Sequence, residues 1–428
     1  MASRWAEDWS GMTAAGTAPT LKAMALGEVA RLTLSAEVRL RQVAADHAQL
    51  LTGNNVEQTQ LRAVVGADLR IAPNLRFFAE VGTGQVAGRR ETASANFQNA
   101  ASLQQAFVDV RGRFGSMLAG AMLGRQEFTD GPRQLISLSD GPNLRRTWNG
   151  VRLYAHGARQ RFGMFDLRVT RLARGGFDEA VNGGETLRGV IASFIVSHGG
   201  GPNTYLEPFW MRSEKTSHRM ADRTGEDARD TYGARLWGRR GDARFDWTLA
   251  RQTGRTVGDR PVDAWAVFAV QSLSLSESGW KPRLTSRIDV ASGGGAYGNG
   301  AVGDFNPLYA SSNYLGEGQF LGLTNLLVIA PGISASPTSR TTLALEYGYA
   351  RRLDENDAVY AGGSRAYAGT QDASGKHIGN LARFTGTWTA SRHLTLRLNL
   401  EHLQSCTVLT RAGYPSGTYG YLEADFRY

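Results

Sequence analysis

Apolar and polar side chains alternate with a period of two along most of this chain. In the first such stretch Leu32, Leu34, Ala36, Val38 and Leu40 share one side, while Thr33, Ser35, Glu37, Arg39 and then Arg41 share the other. A strand sends successive side chains to opposite faces, so each stretch of this kind predicts a strand with one apolar face. Leu61, Ala63, Val65, Ala67 and Leu69 oppose Arg62, Asp68 and Arg70; after a turn at Pro73-Asn74, Leu75, Phe77, Ala79 and Val81 oppose Arg76 and Glu80. Ala106, Val108 and Val110 oppose Asp109 and Arg111; Val151 and Leu153 oppose Arg152; Phe165, Leu167 and Val169 oppose Asp166 and Arg168. The same reading covers Arg235 within Tyr232–Leu236, Asp246 within Phe245–Leu249, Arg283, Arg287 and Asp289 within Arg283–Val290, Glu346 within Leu343–Tyr349, and Arg397 within Leu394–Glu401. At the end of the chain Leu422, Ala424, Phe426 and Tyr428 oppose Glu423, Asp425 and Arg427. Weaker strand patterns fall at 117–126, 186–197, 204–212, 262–271, 324–334 and 378–388.

Tight connections (Arg70–Leu75, Arg111–Met117) alternate with polar stretches expected to be long, at 84–102, 174–186, 213–230 and 352–377. Short turns on one rim and long loops on the other is the arrangement of a membrane barrel, in which the apolar side of each strand looks outward and the charged side lines a wet lumen. Such a barrel also leaves no unpaired sheet edge, which lipid would not tolerate. No run approaches about 18 apolar residues, so a helical span is excluded, and no fixed repeat suggests a propeller or solenoid. The expected fold is all-β, a transmembrane antiparallel up-and-down β-barrel in the bacterial outer membrane. Residues 1–30 read as a poorly ordered lead-in, 31–428 as a single barrel domain, and 293–325 as a long, plug-like connection beside the flexible Ser292–Gly300 stretch. Residues 1–30 contain no uninterrupted apolar core after a basic start, so no secretory signal is read there; it would be removed or lie upstream. Tyr205, Phe209, Trp210, Trp237, Trp247, Trp265, Trp280 and Trp388 are candidates for interfacial aromatic girdles.

Charge sharpens the picture. The formal net charge is +9, and only four of the 48 basic residues are lysines, which leaves 44 arginines. Arginine keeps its charge at any relevant pH and grips carboxylates and phosphates with a planar fork, so this preference suggests the handling of anions. Nucleic-acid binding is set aside, because the basic residues are dealt one or two per strand among acids instead of clustering on a patch. The single cysteine, Cys406, excludes an internal disulfide. The seven histidines are scattered outside any metal or nucleophile motif, and the glycine-rich stretch lacks the Lys-Ser/Thr of a phosphate loop, so neither an enzyme nor a cofactor is expected.

Two stretches carry a family likeness. Leu123-Gly-Arg-Gln126, Gly131-Pro-Arg-Gln-Leu-Ile136, Gly141-Pro-Asn-Leu-Arg-Arg146 and Asn149-Gly-Val-Arg-Leu153 follow one another, and Asp304-Phe-Asn-Pro-Leu-Tyr309 is followed by Tyr314, Asn325 and Pro331. In this order they resemble the alginate-export family, as does the entry from Leu21-Lys22 into Leu34–Arg41, so that the likeness runs from about Leu21 to Tyr428. Trp148-Asn149 departs from the Phe-Asp expected there. The resemblance implies an 18-stranded monomeric outer-membrane barrel with an arginine-lined, anion-selective pore, which in characterised members exports a polyuronate. Its partners would be outer-membrane lipid, an anionic polysaccharide or smaller anionic solute, and periplasmic export components.

The candidate pore-lining arginines are Arg39, Arg41, Arg62, Arg76, Arg125, Arg152, Arg168, Arg235, Arg283, Arg287 and Arg397, with Asp68, Glu80, Asp109, Asp166 and Asp289 interleaved to hold them extended and to keep affinity weak enough for release. Arg133, Arg145 and Arg146 are assigned to a connection folded toward the pore. For any one arginine, an internal salt-bridge ladder explains its position as well as anion selectivity does; for the whole set, selectivity is favoured.

Overall fold

The structure, a computed structural model, describes Trp9 and residues 19–89, 94–197, 203–311 and 313–428. Eighteen strands form the wall. In chain order they are β1 (Ala30–Asp46), β2 (Val56–Ile71), β3 (Leu75–Arg89), β4 (Asn99–Phe114), β5 (Met117–Gln126), β6 (Trp148–His156), β7 (Gln160–Arg171), β8 (Ala180–Ile195) and β9 (Thr204–Met220). The second half comprises β10 (Arg223–Arg240), β11 (Ala243–Thr256), β12 (Arg260–Ser274), β13 (Arg283–Ala291), β14 (Leu326–Thr338), β15 (Thr341–Arg351), β16 (His377–Thr389), β17 (Leu394–Ser405) and β18 (Gly417–Arg427). Consecutive strands pair antiparallel, and β18 returns to β1 to close the cylinder. At that seam Glu37 faces Arg427, Arg39 faces Asp425 and Arg41 faces Glu423, so opposite charges meet across the join.

Alternation places the two faces as lipid requires. Val38, Leu40, Val65, Leu398, Leu422 and Phe426 are exposed on the outer wall, while Glu37, Arg39, Arg62, Glu423 and Asp425 are buried inside. No helix among the described residues is long and apolar enough to cross a membrane, which bears only on helical spans. Of the aromatic candidates, Trp210, Trp247, Trp265, Trp280 and Trp388 are exposed, but Phe209 turns into the barrel. Trp237 also sits on the inner side, stacked on Tyr205 at 4.2 Å and lying under the Arg235 guanidinium.

Several sequence-based boundaries shift. Residues 213–230, expected to be a long loop, are strand almost throughout: β9 and β10 run on to a two-residue turn at Ala221-Asp222. The expected loop 84–102 shrinks to the gap between Arg89 and Asn99, and 174–186 ends where β8 begins at Ala180. Polar residues on both faces there hide the period of two, although the strands continue. Of the expected lead-in, residues 1–8 and 10–18 lie outside the described residues. Within its remainder Met24–Leu26 adds a short strand to β1, and the Lys22 Nζ donates to the Leu34 carbonyl at 2.7 Å.

The hydrophobic core lies within the lumen. Three connections fold inward: 127–147 between β5 and β6, 292–325 between β13 and β14, and 352–376 between β15 and β16. Leu135, Ile136, Phe305, Tyr309, Phe320 and Leu321 from these segments pack with the inward-facing Trp148, Phe165, Leu167, Phe209, Met211 and Phe268 of the wall. The first two connections join directly, the Ser137 amide donating to the Tyr309 carbonyl and the Tyr309 amide to that of Leu135. The second and third approach so closely at Gly322 that a side chain there would begin 2.3 Å from the Ala361 carbonyl.

Candidate functional site

Arg39 donates to the carbonyls of Asp140 and Pro142, each at 2.7 Å, and to that of Gly141 at 3.1 Å. Arg62 contacts Glu37 and Asp140 Oδ1 at 2.8 Å and donates to the Pro142 carbonyl at 2.6 Å. Arg145, from the connection itself, reaches back to Glu37 at 2.9 Å and to Asp140 at 2.7 Å. Burial alone would raise the pKa of the Asp140 carboxyl, but Arg62, Arg145 and Arg39 outweigh it and hold the group well below the ordinary range. These guanidinium groups therefore form a clamp that grips 140–143 by its carbonyls.

The other inward arginines are similarly occupied. Arg41 pairs with Glu423 at 2.6 Å, Arg76 with Asp68 at 2.8 Å, and Arg235 with Asp246 at 2.7 Å and Glu207 at 3.1 Å. Arg397 pairs with Glu423 and Asp425, and Arg152 with Asp130. Arg287 lies 3.8 Å from both Asp289 and Glu346 and donates to the Tyr314 carbonyl at 3.0 Å. Glu80 accepts from Gln105, and Asp109 from the Tyr154 hydroxyl. Arg283 sits at the short-turn rim, its guanidinium donating to the Asp242 carbonyl.

Three of the pore-lining assignments are corrected. Asp166 and Arg168 stand on the outer wall, half-exposed, with Arg188 as the third member of their ion-pair group. Their neighbours Phe165 and Leu167 point inward instead, Phe165 packing on Phe128 at 4.5 Å. Arg125 also falls on the outward face, between exposed Leu123 and a pairing with Asn149, where it binds Glu179 at 2.8 Å; the inward positions beside it are Met122 and Gln126. Where the inward connections make the lumen apolar, the inner side of the wall is apolar too, and the alternation reverses its meaning.

A cavity of about 660 Å³ opens at the long-loop end, between the upper part of β9, the 292–325 segment and the 352–376 connection. Its basic residues are Arg146, Lys215, His218, Arg219 and Arg365. Lys215 is partly balanced by Glu185 at 3.4 Å. Arg146 donates to the Tyr309 carbonyl at 2.6 Å and lies over that ring, and Arg365 lies over the Tyr367 ring. Among the described residues no carboxylate lies within ion-pairing distance of Arg146 or Arg365, whereas Arg219, paired with Thr224, falls on the face of β9 opposite the inward Met220. Of these, Arg146 was marked by its place in the connection after β5. Lys215 and Arg365 carried no local signal, because one falls in the stretch expected to be loop and the other lies in a connection.

The 292–325 segment is tethered beside this cavity. Arg229 donates to the Asp304 carbonyl and Gln252 to that of Asn306, each at 2.7 Å. The Tyr360 hydroxyl lies 2.9 Å from carboxyl oxygens of both Asp304 and Asp357. One hydroxyl hydrogen serves only one of them. Asp357 already accepts the amides of Gly294 and Ala358, whereas Asp304 Oδ1 is buried without a hydrogen-bond partner. Burial, and then the neighbouring Asp357 carboxyl, raise the Asp304 pKa well above its ordinary value, which fits a neutral acid at the centre of the contact.

Comparison with known proteins agrees with this architecture. No curated protein matches the sequence. The fold resembles the Pseudomonas aeruginosa outer membrane protein OpdK, at 11% identity and a TM-score of 0.61, covering 94% of this chain and 99% of that one. A second structure of P. aeruginosa OpdK, with vanillate, matches at 12% identity and 0.60, covering 92% and 98%. P. aeruginosa OccK2 (OpdF) in complex with glucuronate matches at 10% and 0.58, covering 92% and 96%. A family model described as alginate export matches residues 30–419, from the first residue of β1 into the last strand. The chain is an outer-membrane β-barrel channel and belongs to the alginate export family.

Proposed function

We propose that this channel passes small anionic solutes across the outer membrane, drawn to the uncompensated guanidinium groups at its long-loop mouth. The observation that carries the reading is the contrast between the basic lining of this cavity, where Arg146 and Arg365 have no carboxylate within ion-pairing distance among the described residues, and wall arginines such as Arg62 and Arg76, whose charge is already met. Fixed cations at a constriction attract anions and repel cations, and they act more strongly there than in bulk water. The size of the cavity, about 660 Å³, supports a small solute. Two proteins of similar fold were crystallised with vanillate and with glucuronate, both carboxylates. A second reading, export of an anionic polysaccharide such as a polyuronate, is favoured by the family match. Reversal potentials of the purified protein in a planar bilayer under a salt gradient test the proposal. Anion preference is expected, and cation preference would sink it.

A further inference from the structure

The outer wall carries a groove where charged and apolar surface change over within two residues. Across β7 to β10 one outward row reads Asp166, Arg188, Arg212 and Asp230, each facing the next. The next outward row toward the short turns reads Leu153, Met164, Val190 and Trp210, and the one after it Ala155, Phe162 and Ala192. With Pro208 these residues line a groove of about 540 Å³, and their side chains are accessible: Met164 is 53% exposed and Trp210 39%. The Trp210 indole N–H donates to Asp230 at 3.1 Å, so its ring lies in the groove while its polar edge meets the charged row, the placement of a tryptophan at a membrane interface. The charged row is unevenly served. Arg212 is held by Glu214 at 2.8 Å and by Asp230 at 2.9 Å. Arg168 and Arg188 share the carboxylate of Asp166, at 3.9 and 3.4 Å, and among the described residues neither guanidinium group donates a hydrogen bond. Each has five N–H donors in a fork that fits phosphate oxygens. From Arg188 the groove begins one outward step along the strand, about 7 Å away.

We infer that this face of β6–β9 binds one phosphate-headed lipid from the leaflet on the long-loop side, with its phosphate on Arg168 and Arg188 and an acyl chain laid along Met164, Ala192 and Trp210. The occupant is a lipid because the groove lies on the wall that faces hydrocarbon. Its head is anionic because two guanidinium groups border the groove with one carboxylate between them. A soluble anion would make no use of the groove, and a neutral lipid no use of the arginines. The inference stands apart from the anion-channel reading, since every side chain it uses points away from the lumen.

The test is native mass spectrometry of the full-length protein in detergent, with dioleoylphosphatidic acid, dioleoylglycerol or inorganic phosphate added in turn. One phosphatidic acid should stay bound per protein at a concentration about tenfold below that needed for dioleoylglycerol, because its phosphate adds hydrogen bonds to charged donors. Inorganic phosphate should not displace it. Equal retention of the two lipids would remove the phosphate subsite, and displacement by inorganic phosphate would make this a site for soluble anions; either result overturns the inference. The double variant Arg168→Gln/Arg188→Gln should bring phosphatidic acid down to the retention of dioleoylglycerol. Ala192→Trp, which fills the groove, should weaken retention of both lipids. A double variant that holds phosphatidic acid as wild type does would also overturn the inference. So would a lipid-free dimer that Ala192→Trp dissociates, since the face would then be a contact between two copies. Because the comparison of lipids needs only the wild-type protein, a variant that fails to assemble does not leave the question open.

Discussion

Arg62 and Arg365 both belong to the interior, yet their surroundings differ in kind. Arg62 is buried against Glu37 and Asp140 and holds the backbone of 140–143. Arg365 lines an open cavity, lying over the Tyr367 ring, and no carboxylate lies within ion-pairing distance among the described residues. An arginine whose charge is already neutralised cannot do much for a passing anion, and one that is free contributes little to rigidity. The interior is thus divided into a clamp that shapes the passage and a mouth that supplies its field.

Breaking the clamp should have the largest effect. Removing one partner from a buried ion pair leaves charge uncompensated and costs about 3–5 kcal/mol. Arg62→Ala is expected to lower stability by that order, read by urea unfolding in detergent, and to raise single-channel conductance as 127–147 loosens. Anion selectivity should survive. A variant as stable as wild type, with selectivity lost, would reverse the roles assigned to the two groups. The outer wall offers the complementary test. Leu398→Arg places a cation among lipid-facing side chains, where the cost is about 2–4 kcal/mol near the midplane. Folding yield into bilayers, followed by electrophoretic mobility before and after heating, should fall accordingly.

The strands were largely legible in the sequence because lipid and a charged lumen enforce opposite chemistry on alternate residues. Leu32–Arg41 and Leu422–Arg427 are read correctly for that reason, down to the charged seam where β1 meets β18. The reading fails where one of the two solvents changes. At Phe165–Arg168 the lumen is filled by Phe128 and its neighbours, so the apolar side faces in and Asp166 and Arg168 face out. At 213–230 polar residues on both faces of β9 and β10 imitate a loop. The mouth was the least legible region. Lys215 and Arg365 come from separate stretches of chain and line one cavity only through the inward folding of 292–325 and 352–376, which no local period encodes.

The mouth is broken more gently. Taking about 1 kcal/mol for a wet pair of charges, each uncompensated arginine should change the anion-to-cation permeability ratio roughly fivefold. The variant Arg365→Ala is therefore expected to lower the ratio by that factor while unfolding at the same urea concentration as wild type. Loss of stability without loss of selectivity would show that this residue belongs to the clamp.

The smallest expected effect lies where clamp and mouth meet, at the Asp304–Tyr360–Asp357 contact. Its surroundings are mixed. Asp227 and Arg229 approach from β10, Arg260 from β12, Tyr297 from the plug segment itself, and Arg352 and Asp354 from the connection after β15. Arg229 is engaged by Asp227 at 2.8 Å and by the Asp304 carbonyl, and Arg352 by the carbonyls of Asp357 and Thr370, so neither cation neutralises the Asp304 carboxyl directly. With its pKa raised in the tethered state, the acid contributes stability that is complete below the ordinary carboxylate range and is lost as pH rises through the raised value. Alkaline pH should therefore loosen the 292–325 segment, and acid should not. In bilayer recordings, wild-type conductance is expected to rise modestly on the alkaline side, whereas Asp304→Asn, which keeps a hydrogen-bond donor but no titratable proton, should give a flat profile. If Asp304→Asn kept the wild-type pH response, the proton would have to reside elsewhere, and the contact would be a plain structural bond between the plug and its neighbour.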